Sequence, residues 1–426
     1  MRIDRVGIDF GTSNTAASVR GERDGTLLHE IIPLDRDDLL KTLLYFPNGR
    51  ESFFGRSAIE QYFEHEREGR FFQSIKRLLP NPDFSGTQIS GRFVSLESLI
   101  ARFLEDVKRR LEATLGLEIS RLPVTFGRPA LYSLDEKRET LATERFKEAI
   151  RLAGFQHFTL LEEPTAASRA AFRRPRTISE PESLTLVADL GGGTSDFTLL
   201  RTTHGRESPE VLAVHGVPLA GDAMDSAFVQ ARLLPYFGSE VKYQRPFSSN
   251  ILTFPTALIS RIPKWHQHVV LKERSNWNFM LELKKELVNP HDRAILENLL
   301  TLVEENLGYE MHQSVERLKF EASLHDLERA FQIPFSFRSY PIDIQFPVTP
   351  ADYRDIIAPI VTRVATAASE TLKLAGMDGT RIATLNFTGG TSKTPAMREA
   401  IQALVPKAKV EDQDSFTAVA LGLSLD

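Results

Sequence analysis

The sequence predicts a two-lobed α/β protein, each lobe built on a β-sheet and helix core, with a mostly helical insertion in the second lobe. Three observations carry this reading. Residues 6–19, VGIDFGTSNTAASV, are echoed by residues 186–200, LVADLGGGTSDFTLL, with Asp9 and Asp189 at corresponding positions. That separation is far beyond any solenoid period, so a duplicated lobe explains it better than a short repeat. Strand-like and helix-like segments alternate around the echoes, the pattern of an α/β architecture. At 426 residues the chain is also long enough for more than one compact unit. The expected division is 1–183 for the first lobe (core 1–32 and 120–183, insertion 33–119) and 184–426 for the second (core 184–225 and 349–426, insertion 226–348), with the ligand cleft between them.

Each echoed segment is an apolar strand ending in Asp, then a Gly/Thr-rich turn and a second apolar run, which reads as a β-hairpin. Between the hairpins, Leu96, Leu99, Ile100, Phe103, Leu104, Val107 and Leu111 recur at helical spacing over 95–115. A short strand is expected at 122–126, closed by Gly127-Arg128-Pro129, and an amphipathic helix at 133–152 stopping near Gly154. Leu160-Leu161 reads as another strand, with Pro164 at the start of the following helix. Residues 173–181 are expected to be a surface loop or lobe crossing. The stretch 226–348 holds both Trp residues and helical segments such as 278–287, and strand character returns at 383–387.

Composition narrows the function classes. Net charge is −5, with 57 acidic against 52 basic residues, which gives no general electrostatic reason to bind nucleic acid or anionic lipid. Cysteine is absent, which excludes disulfides, thiolate zinc sites and a cysteine nucleophile, and suits a reducing cytoplasm. The charged start, Met1-Arg2-Ile3-Asp4-Arg5, leads straight into a strand, so no signal peptide is expected. No apolar run approaches the roughly 18 residues of a spanning helix. The sequon Asn386-Phe387-Thr388 is read as incidental.

The chemistry concentrates in a few segments. In Asp9-Phe10-Gly11-Thr12-Ser13-Asn14, glycine allows a tight turn whose N–H groups and hydroxyls face a phosphate, and the strand-end Asp9 suits magnesium-bound water. Asp189-Leu190-Gly191-Gly192-Gly193-Thr194-Ser195-Asp196 repeats the design with three consecutive glycines. Taken alone, the first segment fits an ordinary hairpin with an Asp turn as well as it fits a phosphate turn. A flexible linker fits the second poorly, because apolar strands flank it. Neither a P-loop nor a Rossmann fingerprint is present. Gly389-Gly390-Thr391-Ser392-Lys393 follows a strand and precedes a helix near Pro395, where adenosine could lie against backbone; a plain connecting loop is the simpler reading on its own. Glu162-Glu163-Pro164-Thr165 ends a strand and opens a helix, where acidic residues are favoured in any case. His266 and His268 lack an evident third ligand, so packing or surface roles are preferred to a metal.

Taken together, these segments resemble the nucleotide-binding domain of the heat-shock protein 70 (DnaK-like) chaperone family, within the actin and sugar-kinase superfamily. The resemblance runs in order over essentially the whole chain and implies a two-lobed actin-like ATPase fold that binds ATP or ADP with Mg²⁺. It makes Asp9, Asp189, Lys76, Glu163 and Thr194 the catalytic set, with Asp9 and Asp189 holding the metal through water. It gives the phosphates to Gly11, Thr12, Ser13, Asn14, Gly191, Gly192, Gly193 and Thr194. The adenosine falls to Glu316, Lys319 and Ser323, one face of a helix, with Gly389, Gly390, Thr391 and Lys393. Lys393 stands where the family usually has arginine, so stacking on adenine is expected to be weaker. The family's switch proline and basic residue fall near Pro129 and Lys137, with a poor local match. The segment 226–348 looks longer than the family norm. The sequence stops at Asp426, before the family's linker, peptide-binding sandwich and lid, so the expected function is a DnaK-like ATPase, chaperone or chaperone-like regulator, without its own peptide clamp. The implied partners are nucleotide and client or co-chaperone proteins, without nucleic acid or membrane. Rival readings are a small-molecule kinase of the same superfamily and a nucleotide-gated scaffold or actin-like filament subunit.

Overall fold

The computed structural model describes residues 2–36, 38–47, 51–133, 135–172, 182–203, 209–325, 331–412 and 415–425. The expected crossing at 173–181 lies outside these. The chain divides into two compact units, Met1–Gly221 with Thr362–Asp426, and Asp222–Val361.

The first unit contains both echoed hairpins. Strands β1 (Arg2–Phe10), β2 (Asn14–Arg23) and β3 (Thr26–Ile32) form an antiparallel meander, and the two-residue β4 (Leu40–Lys41) also pairs with β2. The parallel strands β5 (Val124–Arg128) and β6 (Phe158–Glu162) complete the order β6-β5-β1-β2-β3. The second sheet repeats the plan. A meander of β7 (Glu182–Leu190), β8 (Ser195–Thr203) and β9 (Glu210–Val217) is followed by parallel β12 (Thr384–Thr388) and β13 (Lys409–Asp412), giving β9-β8-β7-β12-β13. The echo of two short motifs is thus the visible part of a duplication covering both sheets. The intervening β10 (Ile333–Ser339) and β11 (Ile342–Val348) pair with each other in the second unit.

Local signals place the helices. Ser95 caps α1 (Leu96–Leu115) by accepting the Ser98 N–H at 3.1 Å, and Gly116 closes it in the left-handed conformation. Asp135 caps α2 (Glu136–Leu152), three residues later than the sequence suggested, because its side chain takes the Arg138 N–H. Helix α3 (Glu163–Phe172) follows β6 directly. The apolar faces of α1 and α2 bury Leu99, Phe103, Phe146 and Ile150 against the first sheet. Phe10, at the end of β1, sits in this core with its ring 5.6 Å from Phe146 and 5.7 Å from Phe103. Truncating such a side chain costs about 3–5 kcal/mol.

The C-terminal helix, Ser415–Leu423, packs on α3, with Ala166, Ala167, Val419 and Leu423 forming a small core. Ser18 of β2 reaches it, its hydroxyl 2.6 Å from the Ala420 carbonyl and 2.7 Å from Ser424 Oγ.

The second unit carries helices α4 (Gly221–Phe228), which begins at the division, α5 (Arg274–Leu283), α6 (Asp292–Glu304) and α7 (Gly308–Leu324). The helix expected at 278–287 begins and ends four residues earlier, since Leu283 is its last buried apolar position and Tyr243 bridges to Leu287 beyond it. The β10–β11 hairpin was not expected. Its strict alternation of buried and exposed residues was legible, but proline in both strands obscured it.

Candidate functional site

The two hairpin turns meet within the first unit. Alternation along β1 sends Phe10 into the core and Asp9 to the opposite face. Asp9 Oδ1 is shielded from solvent without a hydrogen-bond partner. Burial pushes the Asp9 carboxyl well above the usual carboxylate range; Glu163 and Asp189 add to this and Lys76 opposes it.

Asp189 occupies the equivalent place at the end of β7. Its neighbour across the parallel pair is Thr388, whose hydroxyl donates to Asp189 Oδ1 at 2.7 Å. Burial still pushes Asp189 up to about 6, with the Thr388 hydrogen bond acting against it. Asp196 lies opposite Asp189 in the hairpin and is pushed up to about 8 by burial, with Asp189 and Glu163 contributing.

The turns are held by matching threonines. Thr42 Oγ1 donates to the Gly11 carbonyl at 2.9 Å, and its N–H donates to Ser13 O at 2.9 Å. Thr391 Oγ1 donates to the Gly191 carbonyl at 2.6 Å, and the Gly191 N–H closes its own turn onto Thr194 O at 3.0 Å. A Cβ on Gly193 would stand 2.8 Å from Thr12 Cγ2 and 2.7 Å from Arg77 Cδ, so only glycine lets the second turn come this close to the first. Gly11, Thr12, Ser13, Asn14, Gly191, Gly192 and Thr194 are all half-buried around this junction.

Lys76 sits on a tight turn, Ile75–Leu78, entered through Ser74 in the left-handed conformation. It is 6% exposed and its ammonium donates to Glu163 Oε1 at 2.6 Å. Glu163 opens α3, where a carboxylate is favoured by the helix dipole. Removing one partner of a buried pair of this kind costs about 3–5 kcal/mol. Two residues far apart in sequence and individually unremarkable are therefore one structural element.

Gly389, Gly390, Thr391 and Lys393 connect β12 to the helix Pro395–Gln402, with Thr391 buried and Lys393 exposed. Glu316, Lys319 and Ser323 belong to the second unit, where they share α7. Lys319 reaches Asp225 Oδ2 at 2.8 Å, whereas the Ser323 hydroxyl turns back to its own helix at Lys319 O, 2.9 Å away. Burial lowers the Lys319 pKa, but the charge and hydrogen bond of Asp225 outweigh it and the net shift is upward.

Sequence reasoning missed Asp196, Thr388, Gly127 and Asp225. Asp196 closes the quoted motif and Thr388 ends the strand before the glycine pair, so position relative to the motifs could have found both. Gly127 is visible only in three dimensions: a Cβ there would stand 3.2 Å from Glu163 Cγ and 3.3 Å from Asp9 Oδ1. His268 is buried, contacts the Ile262 carbonyl through Nε2 at 2.9 Å and is pushed down to about 4 by burial, which makes it a packing residue; the His266 side chain lies outside the described residues.

The residues fit a magnesium ion. Asp9, Asp189, Asp196 and Glu163 offer hard oxygen donors whose charges act on one another, Lys76 acts on all four, and Asp9 Oδ1 lacks a partner. An oxygen-seeking divalent ion with retained waters suits that donor set.

A family model described as Hsp70 protein matches residues 51–245 and 301–426, more than half of the chain. The chain is 24% identical over 443 residues to the chaperone protein DnaK of Thermus thermophilus, covering 99% of this chain and 60% of the relative. It is 24% identical over 423 residues to the chaperone protein DnaK of Halobacterium salinarum, covering 99% of this chain and 55% of that relative. The chain therefore spans less than two thirds of the length of these relatives. Among the described residues no helix is long and apolar enough to cross a membrane. With its duplicated sheets and paired glycine-rich turns, the chain belongs to the Hsp70 family and has that family's actin-like ATPase fold.

Proposed function

We propose that this protein binds ATP with Mg²⁺ and hydrolyses it slowly, as a cytoplasmic DnaK-like chaperone or chaperone-like regulator whose partners are client or co-chaperone proteins. Its two lobes divide at 183/184 in this proposal. The observation that carries it is the buried Lys76–Glu163 pair, 2.6 Å apart, in the same electrostatic neighbourhood as Asp9 and Asp189.

In this account Gly11, Thr12, Ser13, Asn14, Gly191, Gly192, Gly193 and Thr194 donate backbone N–H groups and hydroxyls to the phosphates. Asp9 and Asp189 would hold the metal through water, with the Thr388 hydroxyl fixing the Asp189 carboxyl. Magnesium, when bound, offsets phosphate charge and helps align the phosphates. Lys76 supplies a fixed positive charge where charge builds on the γ-phosphate, and Glu163 holds Lys76 in place and orients the attacking water. The water oxygen bonds to the γ-phosphorus and the bond to the bridging oxygen breaks. ADP leaves with that electron pair, and the water's proton passes to the phosphate product. Such transfer depends chiefly on positioning and electrostatics. Glu316, Lys319, Ser323, Gly389, Gly390, Thr391 and Lys393 contact the adenosine.

Calorimetry with ATP, with and without Mg²⁺, tests the reading. Saturable binding that tightens with Mg²⁺ and weakens in Asp9→Asn is expected. Binding absent under both conditions would remove the basis for the proposal.

A further inference from the structure

The second unit holds a cluster of which the nucleotide reading uses only Glu316. His312 and Glu316 lie one turn apart on α7, with His312 Nε2 3.8 Å from Glu316 Oε1. Asp225 of α4 faces them, and one ligand atom from each of the three lies within 4.8 Å of the others. Asp225 is 4% exposed. Lys319 satisfies its Oδ2, but Oδ1 is buried without a hydrogen-bond partner. Leaving a buried carboxylate oxygen unpaired is costly, and a cation beside it removes the cost.

We propose that Asp225, His312 and Glu316 form a second divalent-cation site, selective for zinc-like metals rather than magnesium. The donor chemistry sets the selectivity. One imidazole nitrogen with two carboxylates suits zinc and its first-row neighbours, whereas magnesium takes an all-oxygen shell. Bonds of about 2.0–2.2 Å put tetrahedral donors roughly 3.3 Å apart, so the trio must contract slightly. Glu316, whose side chain is 53% exposed, has the freedom to do so. Asp225 is anchored by Lys319, and the His312 ring packs near Trp265, so the other two donors are held in advance. The fourth position is left for water or an exchangeable ligand. The two carboxylates outweigh the single Lys319 charge beside them, and Asp222 also acts on that lysine. This site is independent of ATP hydrolysis and of the carboxylate cluster of the first unit.

The test uses the full chain, stripped with a chelator and titrated with Co²⁺ (visible absorption) and Zn²⁺ (calorimetry). One equivalent of Co²⁺ is expected to give bands of a nitrogen-containing shell, retained in Asp9→Asn. His312→Ala is expected to lose those bands and weaken Zn²⁺ by at least 10- to 100-fold, the range for disturbing even outer-shell groups. Its metal-free melting curve and far-ultraviolet spectrum should match the parent, and Asp225→Asn should give the same loss. If Asp225→Asn fails to fold, His312→Ala decides alone. Indistinguishable titrations of the parent and His312→Ala would overturn the site. So would bands that vanish in Asp9→Asn, or the lack of saturable binding up to millimolar metal.

Discussion

The two hairpins of the first unit share a topology and differ in how their aspartates are kept. In each, Asp is the penultimate residue of a strand and a threonine from another segment bonds the turn's glycine carbonyl, Thr42 to Gly11 and Thr391 to Gly191. The neighbouring parallel strand then makes the difference. Beside Asp189 it supplies Thr388, a hydroxyl that donates to the carboxyl; beside Asp9 it supplies Gly127, which has no side chain to donate. Asp189 is therefore already partly satisfied, whereas Asp9 Oδ1 has no such partner, and Glu163, Leu423 and Asp9 itself border the space that a larger residue than Gly127 would take. A duplicated scaffold thus yields one carboxyl fixed by a hydroxyl and one with a buried oxygen that lacks a hydrogen-bond partner.

The largest expected effect breaks the open member. Asp9→Asn should lower ATP turnover by at least about 100-fold, the scale of losing a main electrostatic contact. It should also raise the metal-free melting temperature, because it removes a buried group whose ionisation is disfavoured. Asp189→Asn should raise that temperature less. Equal melting shifts for the two variants would contradict the asymmetry.

Gly127→Ala sharpens the comparison through separation of stability from function. Alanine in a strand interior is worth roughly 0.5–1 kcal/mol over glycine, while its Cβ would crowd Glu163 and Asp9. Turnover should fall about tenfold, the equivalent of about 1.4 kcal/mol, without a loss in melting temperature. Unchanged turnover would show that the space beside Asp9 is not needed.

Thr388→Val tests the satisfied member and should have the smallest effect. Losing the hydroxyl removes the hydrogen bond that holds Asp189 down, so its pKa should rise from about 6. The folded state keeps this proton after the unfolded chain has lost it, so the contribution of Asp189 to metal-free stability falls as pH rises from about 4 towards 6. In Thr388→Val the fall should extend to higher pH, as read from chelator-treated melts across that range. A profile that superimposes on the parent's would mean that the hydroxyl does not control the titration.

Much of this was legible in the sequence, because the hairpin motifs are local. Apolar strands, Asp at the strand end and a glycine-rich turn lie side by side in the chain, and the echo at 186–200 announced the duplication. Helix α1 was readable from its apolar spacing and its serine cap. The pairings that give the site its character were not, since they join segments distant in sequence: Lys76 to Glu163, Thr388 to Asp189, Lys319 to Asp225. Lys76 could be singled out only through family likeness, because nothing in its neighbours signals burial. Gly127 carries no chemistry of its own, and its role appears only when the side chains around it are seen.

Single-turnover hydrolysis of labelled ATP with Mg²⁺, with bound nucleotide measured in the same samples, tests the central claim most directly when the parent is compared with Lys76→Ala. Hydrolysis by the parent, and retained binding without hydrolysis by a folded Lys76→Ala, is the predicted result. Equal hydrolysis by both proteins would contradict the role given to the Lys76–Glu163 pair, and binding without hydrolysis by both would contradict the assignment as an ATPase.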